Sequence, residues 1–189
     1  MPLVPEPSPQ SERSGTLCRE GRSPGADNIG NDQTLTFRAA RDDDADRAFL
    51  YALFVATKAA DMAAMPADEA TKDFLLRVQY RAMTETYARD YPRARSEIVE
   101  AMGRPVGRLL THVGAACVTY VDIALLPEAQ GRGLATRLML AALEEPRRLN
   151  VAARVKVLVT NGPSLRLCER LGFRTLEEAP PFVELEWRP

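Results

Sequence analysis

A strand-like run, a glycine turn and a helix-like run follow one another without a gap. The apolar stretch Val121 to Leu126 is closed by Pro127, and Gln130-Gly131-Arg132-Gly133-Leu134-Ala135 opens an apolar helical run to Glu145. A chain built this way is committed to strands and helices in layers. The turn also aims free backbone N–H groups at one point, which suits a phosphate or pyrophosphate. The segment therefore points to an anion-bearing cofactor held at a helix start.

The remaining periodicities fill in the layers. Thr34 to Arg38 reads as a first strand. Asp42, Asp43 and Asp44 offer an N-cap and first-turn acids. Phe49, Leu50, Leu53 and Phe54 then recur at helical spacing, predicting a helix to about Ala60. Pro66 breaks the chain, and Asp68 to Tyr87 predicts a second helix. Glu97 to Met102, Val106 to Val113 and Ala116 to Leu126 read as three strands. The third helix is expected to stop at Pro146. Val151 to Thr160 reads as a buried strand, Asn161 to Leu171 as a short helix ended by Gly172, and Phe173 to Leu176 and Phe182 to Trp187 as closing strands. The expected order is β-α-α-β-β-β-α-β-α-β-β, one mixed α/β domain over 34–189. Residues 1–33, rich in Pro, Ser, Gly and charge, are expected to form a disordered tail.

A dinucleotide fold would want G-x-G-x-x-G after the first strand. Here the turn follows the fourth strand, and Thr136 stands where the third glycine belongs. The chain instead resembles the GNAT superfamily of acetyl-CoA-dependent N-acetyltransferases. Gln130, Gly133 and Ala135 fit that family's cofactor motif. Asn161, Ser164, Leu167 and Leu171-Gly172-Phe173 fit a second block, and the strand ending Ile123-Ala124-Leu125-Leu126-Pro127 a third. The resemblance implies a mostly antiparallel central sheet flanked by helices (α+β). It also implies acetyl-CoA as co-substrate. The N–H groups of Gly131, Arg132, Gly133, Leu134, Ala135 and Thr136 would surround its pyrophosphate, aided by the helix dipole. Ile123, Ala124 and Leu125 stand where the family pairs strand backbone with the pantetheine arm. Core packing is a compatible role for these three. Asn161 stands where the family contacts the cofactor through an amide, and it is equally placed to cap a helix.

The resemblance implies direct attack of a neutral amine on the thioester, with no acyl-enzyme. Many members place a tyrosine seven residues after the asparagine, as acid to the leaving thiolate. This chain has Cys168 there, which is either that acid or a small buried filler. Some members place a glutamate base five residues before the asparagine; here stands Lys156. The base is therefore sought elsewhere. Asp122, charged within Val121-Asp122-Ile123, is the leading candidate as base or substrate anchor, or else a structural partner of an arginine. Glu100 and His112 are weaker candidates. Tyr80, Tyr87 and Tyr91 are candidates to line an acceptor pocket, or to pack.

Composition sets the bounds. Twenty-five Lys+Arg against twenty-six Asp+Glu give a net charge of -1, which argues against nucleic acid as partner. No apolar run reaches membrane-helix length, so no membrane partner is expected. Cys18, Cys117 and Cys168 have no metal-ligand spacing, which predicts no metal and a cytoplasmic, reducing setting. The expected partner is a small-molecule or peptide amine acceptor. A homodimer is left open, because Phe182 to Trp187 is apolar enough to pair. Two alternatives compete with catalysis: a non-catalytic acyl-CoA-binding module, and a scaffold that binds no CoA.

Overall fold

A computed structural model describes residues 34–189, so the expectation of a disordered tail over 1–33 lies outside the described residues. The elements are β1 (Leu35–Ala39), α1 (Asp44–Ala63), α2 (Glu69–Asp90), β2 (Arg95–Ala101), β3 (Arg104–Val113), β4 (Cys117–Leu125), α3 (Leu134–Ala142), α4 (Glu144–Leu149), β5 (Ala152–Leu158), α5 (Gly162–Arg170), β6 (Arg174–Ala179) and β7 (Phe182–Trp187). The predicted order is observed with one change. The third helix does not stop at Pro146 but breaks at Leu143 and resumes as α4, with Pro146 buried in its first turn. Proline has no N–H for the carbonyl of Ala142, so the ladder is interrupted there. A first turn needs no such donor.

The seven strands form one sheet in the order β1-β2-β3-β4-β5-β7-β6. Every neighbouring pair is antiparallel except β4 and β5, which run parallel. That pair is joined by the crossover through α3 and α4. β7 lies between β5 and β6, so both of its backbone edges are already used. Phe182 to Trp187 therefore offers no free backbone edge to a second copy; the sheet's edges are β1 and β6.

Alternation along the strands divides the side chains between two faces. Val99, Leu109, Val118, Tyr120, Ala153, Val155 and Leu185 pack with Leu134, Leu138, Met139 and Leu143, and with Cys168 and Phe173. Arg38, one residue on from Phe37, points to the opposite face and meets α1. There Asp43 caps α1 by accepting from Asp46 N–H. Asp46, buried, accepts from Arg38 Nη1 at 2.6 Å and Nη2 at 2.7 Å, and from the Arg41 N–H at 2.8 Å. Arg38 Nε also donates to Glu100 at 2.7 Å. This network pins the start of α1 to β1 and β2.

The Arg38 guanidinium and the Arg41 N–H hold the Asp46 carboxyl well below the ordinary 3.8. A depressed folded pKa means that the stabilisation is fully present above the unfolded value and is lost as pH falls below it. Asp46→Ala removes a buried carboxylate and leaves Arg38, 30% exposed, with Glu100 as its remaining carboxylate partner. Its expected effect is a fall in Tm on the order of 10 °C at pH 7. The difference from wild type should narrow in scans taken below pH 4.

Candidate active site

The register of β3 on β4 shifts once. Leu110 faces Asp122 and Thr111 faces Tyr120, so Val121 is left over as a bulge. A bulge re-aims the strand beyond it. Up to Tyr120, β4 pairs with β5, from Cys117 opposite Ala152 to Tyr120 opposite Val155. Beyond Tyr120 that pairing ends, while β5 continues against β7 as far as Leu158. Among the described residues the edge of β4 from Val121 to Leu125 therefore has no strand partner on its β5 side, and the end of the ladder leaves a cleft between the two parallel strands.

The glycine turn stands at the head of this cleft. Gln130 Nε2 donates to the Leu125 carbonyl at 2.9 Å, tying the turn to the strand end. Gly131 and Gly133 have φ of +73° and +75°, and Gly133 is the residue that opens α3. Open space surrounds the position of a Cβ on either glycine. The first N–H groups of α3 have no partner within the helix. Because β4 and β5 are parallel, α5 starts at the same end of the sheet as α3. Asn161 caps α5, its Oδ1 accepting from Ser164 N–H at 3.2 Å, which leaves the amide NH2 group to a ligand. Ile123, Ala124, Leu125, Asn161 and Gln130 to Thr136 thus gather at one end of one cleft. Gly133→Ala forces a side chain into the left-handed region at a cost of ~1–2 kcal/mol. The expected loss in CoA affinity, measured by calorimetry, is about tenfold.

Asp122 lies on the face beneath α1 and α2, with its side chain 24% exposed. Arg108 Nη1, from the facing strand, donates to Asp122 Oδ2 at 3.2 Å. The Arg108 guanidinium lies 5.9 Å from the ring centre of Tyr87. Burial raises the Asp122 carboxyl above its ordinary 3.8, and Arg108 only partly offsets this. Tyr80 and Tyr87 lie within electrostatic range of both charges. Tyr91 packs instead on His112, with ring centres 5.5 Å apart. Glu100 is engaged by Arg38. Lys156 is exposed and pairs with Glu184 at 3.4 Å. Sequence reasoning passed over Arg108, which stands opposite Ala124 and reaches Asp122 diagonally; its one local sign was a charge amid the apolar run Val106 to Leu110.

Cys168 is buried among the apolar side chains between α5 and the sheet. Burial pushes its thiol up to about 11, so it stays protonated at neutral pH. Among the described residues no group of three or more His, Cys, Asp or Glu side chains is placed to hold a metal ion. Among the same residues no helix is long and apolar enough to cross a membrane.

The acetyltransferase (GNAT) family model matches residues 61–173, more than half of the chain. No curated protein matches it by sequence. Among solved structures, PaiA N-acetyltransferase from Thermoplasma acidophilum in complex with coenzyme A superposes with a TM-score of 0.62 at 15% identity, over 82% of this chain and 99% of that one. The ribosomal-protein-S18-alanine N-acetyltransferase from Escherichia coli gives 0.55 at 17% identity, over 82% and 94%. A GNAT family acetyltransferase from Elizabethkingia anophelis with acetyl-CoA bound gives 0.54 at 11% identity, over 84% and 100%. At these identities the likeness concerns the fold.

Proposed function

We propose that this chain, which belongs to the GNAT family of acetyltransferases, transfers an acetyl group from acetyl-CoA to a primary amine by direct attack. One observation carries the reading: the unpaired β4 edge from Val121 to Leu125 leads straight to the glycine turn that opens α3. An extended arm ending in a pyrophosphate fits that arrangement. Backbone groups of Ile123, Ala124 and Leu125 would pair with the arm. The N–H groups from Gly131 to Thr136 would hold the phosphates, and the Asn161 amide would add a contact from α5.

Acetyl-CoA supplies the activated acyl carbon and a thiolate leaving group. The chain supplies alignment, which can account for most of the rate. A backbone N–H near Leu125 stabilises charge on the acyl oxygen. Asp122, lifted towards neutrality by burial, accepts the proton that the amine must shed for its lone pair to attack. Arg108, donating to the carboxylate, favours its ionised form and so opposes the effect of burial.

Two measurements bear on the reading. An amine panel with acetyl-CoA and a free-thiol readout should show release of CoA that depends on the amine. Tight CoA binding with no release on any amine would instead favour the non-catalytic acyl-CoA-binding module, and no CoA binding at all would favour the scaffold. Cys168→Ala addresses the second proton. If Cys168 protonates the departing thiolate, kcat falls about 10-fold or more with CoA affinity retained. Unchanged kcat with a lowered Tm would assign Cys168 to packing alone.

A further inference from the structure

Resting on that reading, the pair Arg108 and Asp122 says more about the acceptor. Arg108 is nearly buried, with 11% of its side chain exposed. Among the described residues its guanidinium donates through Nη1 alone, to Asp122. Its Nε–H is buried and has no partner among the described residues. An unmet buried donor is costly, and on an arginine it is also informative. Nε and Nη2 form the flat edge that grips a carboxylate with two parallel hydrogen bonds. Asp122 takes Nη1 and not this edge, and the Tyr87 ring of α2 lies 5.9 Å from the guanidinium carbon.

We propose that the acceptor is a small zwitterion of the α-amino-acid class, its carboxylate held by Arg108 and its amine by Asp122. The site then carries four charges in alternation: amine, Asp122, Arg108, carboxylate. The short span from amine to carboxylate in an α-amino acid matches the single contact separating Asp122 from Arg108. A plain alkylamine fills only the Asp122 half and leaves Nε unmet. The acceptor's side chain meets aromatic walls. Tyr80 stands with its ring 5.2 Å from Tyr51 and 5.3 Å from Phe54, and the Tyr51 hydroxyl is buried without a partner among the described residues.

The test uses the full chain, acetyl-CoA and a thiol readout. Each of a set of free amino acids is paired with the amine left when its carboxylate is removed. For at least one pair, kcat/KM for the amino acid is expected to exceed that for its decarboxylated partner by about 100-fold. Arg108→Gln should bring that ratio towards one, and Arg108→Lys should keep part of it, since a lysine retains charge without the fork. The ratio cancels any general loss of activity or stability in the variants. Should Arg108→Gln fail to fold, the wild-type ratio alone decides. Equal or faster turnover of the decarboxylated amines overturns the proposal and leaves acetyl transfer standing, as does turnover of peptides alone. A ratio that survives Arg108→Gln also overturns it. CoA binding with no turnover of either series or of peptides overturns acetyl transfer itself, and the proposal with it.

Discussion

Asp122→Asn lowers kcat/KM for acetyl transfer by about 10²–10³-fold, while acetyl-CoA affinity is largely retained. The amide matches the carboxylate in shape, and its oxygen still accepts from Arg108 Nη1. What it cannot do is take a proton from the amine. Burial raises the wild-type carboxyl above 3.8, so the ionised fraction, and with it the rate, grows as pH rises through that elevated value. The wild-type profile therefore has an acid limb displaced upward from an ordinary aspartate, and the variant's residual rate lacks it. Stability runs the other way. A raised folded pKa favours the folded state fully below the unfolded value, and that advantage is lost as pH rises through the folded one. Asp122→Asn thus flattens one component of stability against pH while it removes a limb of activity. Full acetyl transfer by the variant across pH would remove Asp122 from the chemistry and leave it as the structural partner of Arg108.

That double character explains what could and could not be read from the chain. Gln130 to Ala135 was legible because turn chemistry is local: two glycines hold left-handed φ, and a helix must begin after them. The order of strands and helices was legible for the same reason, since period and punctuation are written along the chain. Asp122 stood out as a charge inside an apolar strand. Its surroundings did not. The bulge at Val121 depends on how β4 registers against β3, which no local pattern announces. Arg108 acquires meaning only once the hairpin brings it diagonally across from Asp122, fourteen residues away in sequence. The interior place of β7 was hidden too, because an apolar strand reads alike at an edge and in the middle of a sheet. Pro146 misled for a different reason: a proline that ends one helix can sit in the first turn of the next.

Gly107→Ala is expected to damage the cofactor cleft from behind. Gly107 lies on β3, opposite Leu125 at the end of β4. A Cβ there would stand 2.4 Å from the Ala124 carbonyl oxygen and 2.6 Å from Leu125 Cδ2. The leucine can turn aside, but the carbonyl belongs to the backbone. The strand must therefore move, and the segment that moves is the unpaired edge that would receive the pantetheine arm. The neighbouring anchors resist a simple shift, because Leu126 N–H donates to the Val106 carbonyl at 2.8 Å and Gln130 holds the Leu125 carbonyl. Overpacking of this kind costs about 1–3 kcal/mol in stability. The larger effect falls on binding, with CoA affinity expected to drop about tenfold or more, since each 1.4 kcal/mol of lost fit is a factor of ten. Ile98→Ala is the control. It hollows the core at β2, where Ile98 is wholly buried, and costs about 2–5 kcal/mol. It removes atoms beside Arg108, its partner across β2 and β3, but pushes none against the β4 backbone. With both variants folded at the assay temperature, Gly107→Ala should bind CoA poorly and Ile98→Ala normally, although Ile98→Ala has the lower Tm. If the two weaken CoA binding alike, affinity follows global stability. In that case the close approach of β3 to β4 is a packing detail with no hold on the site.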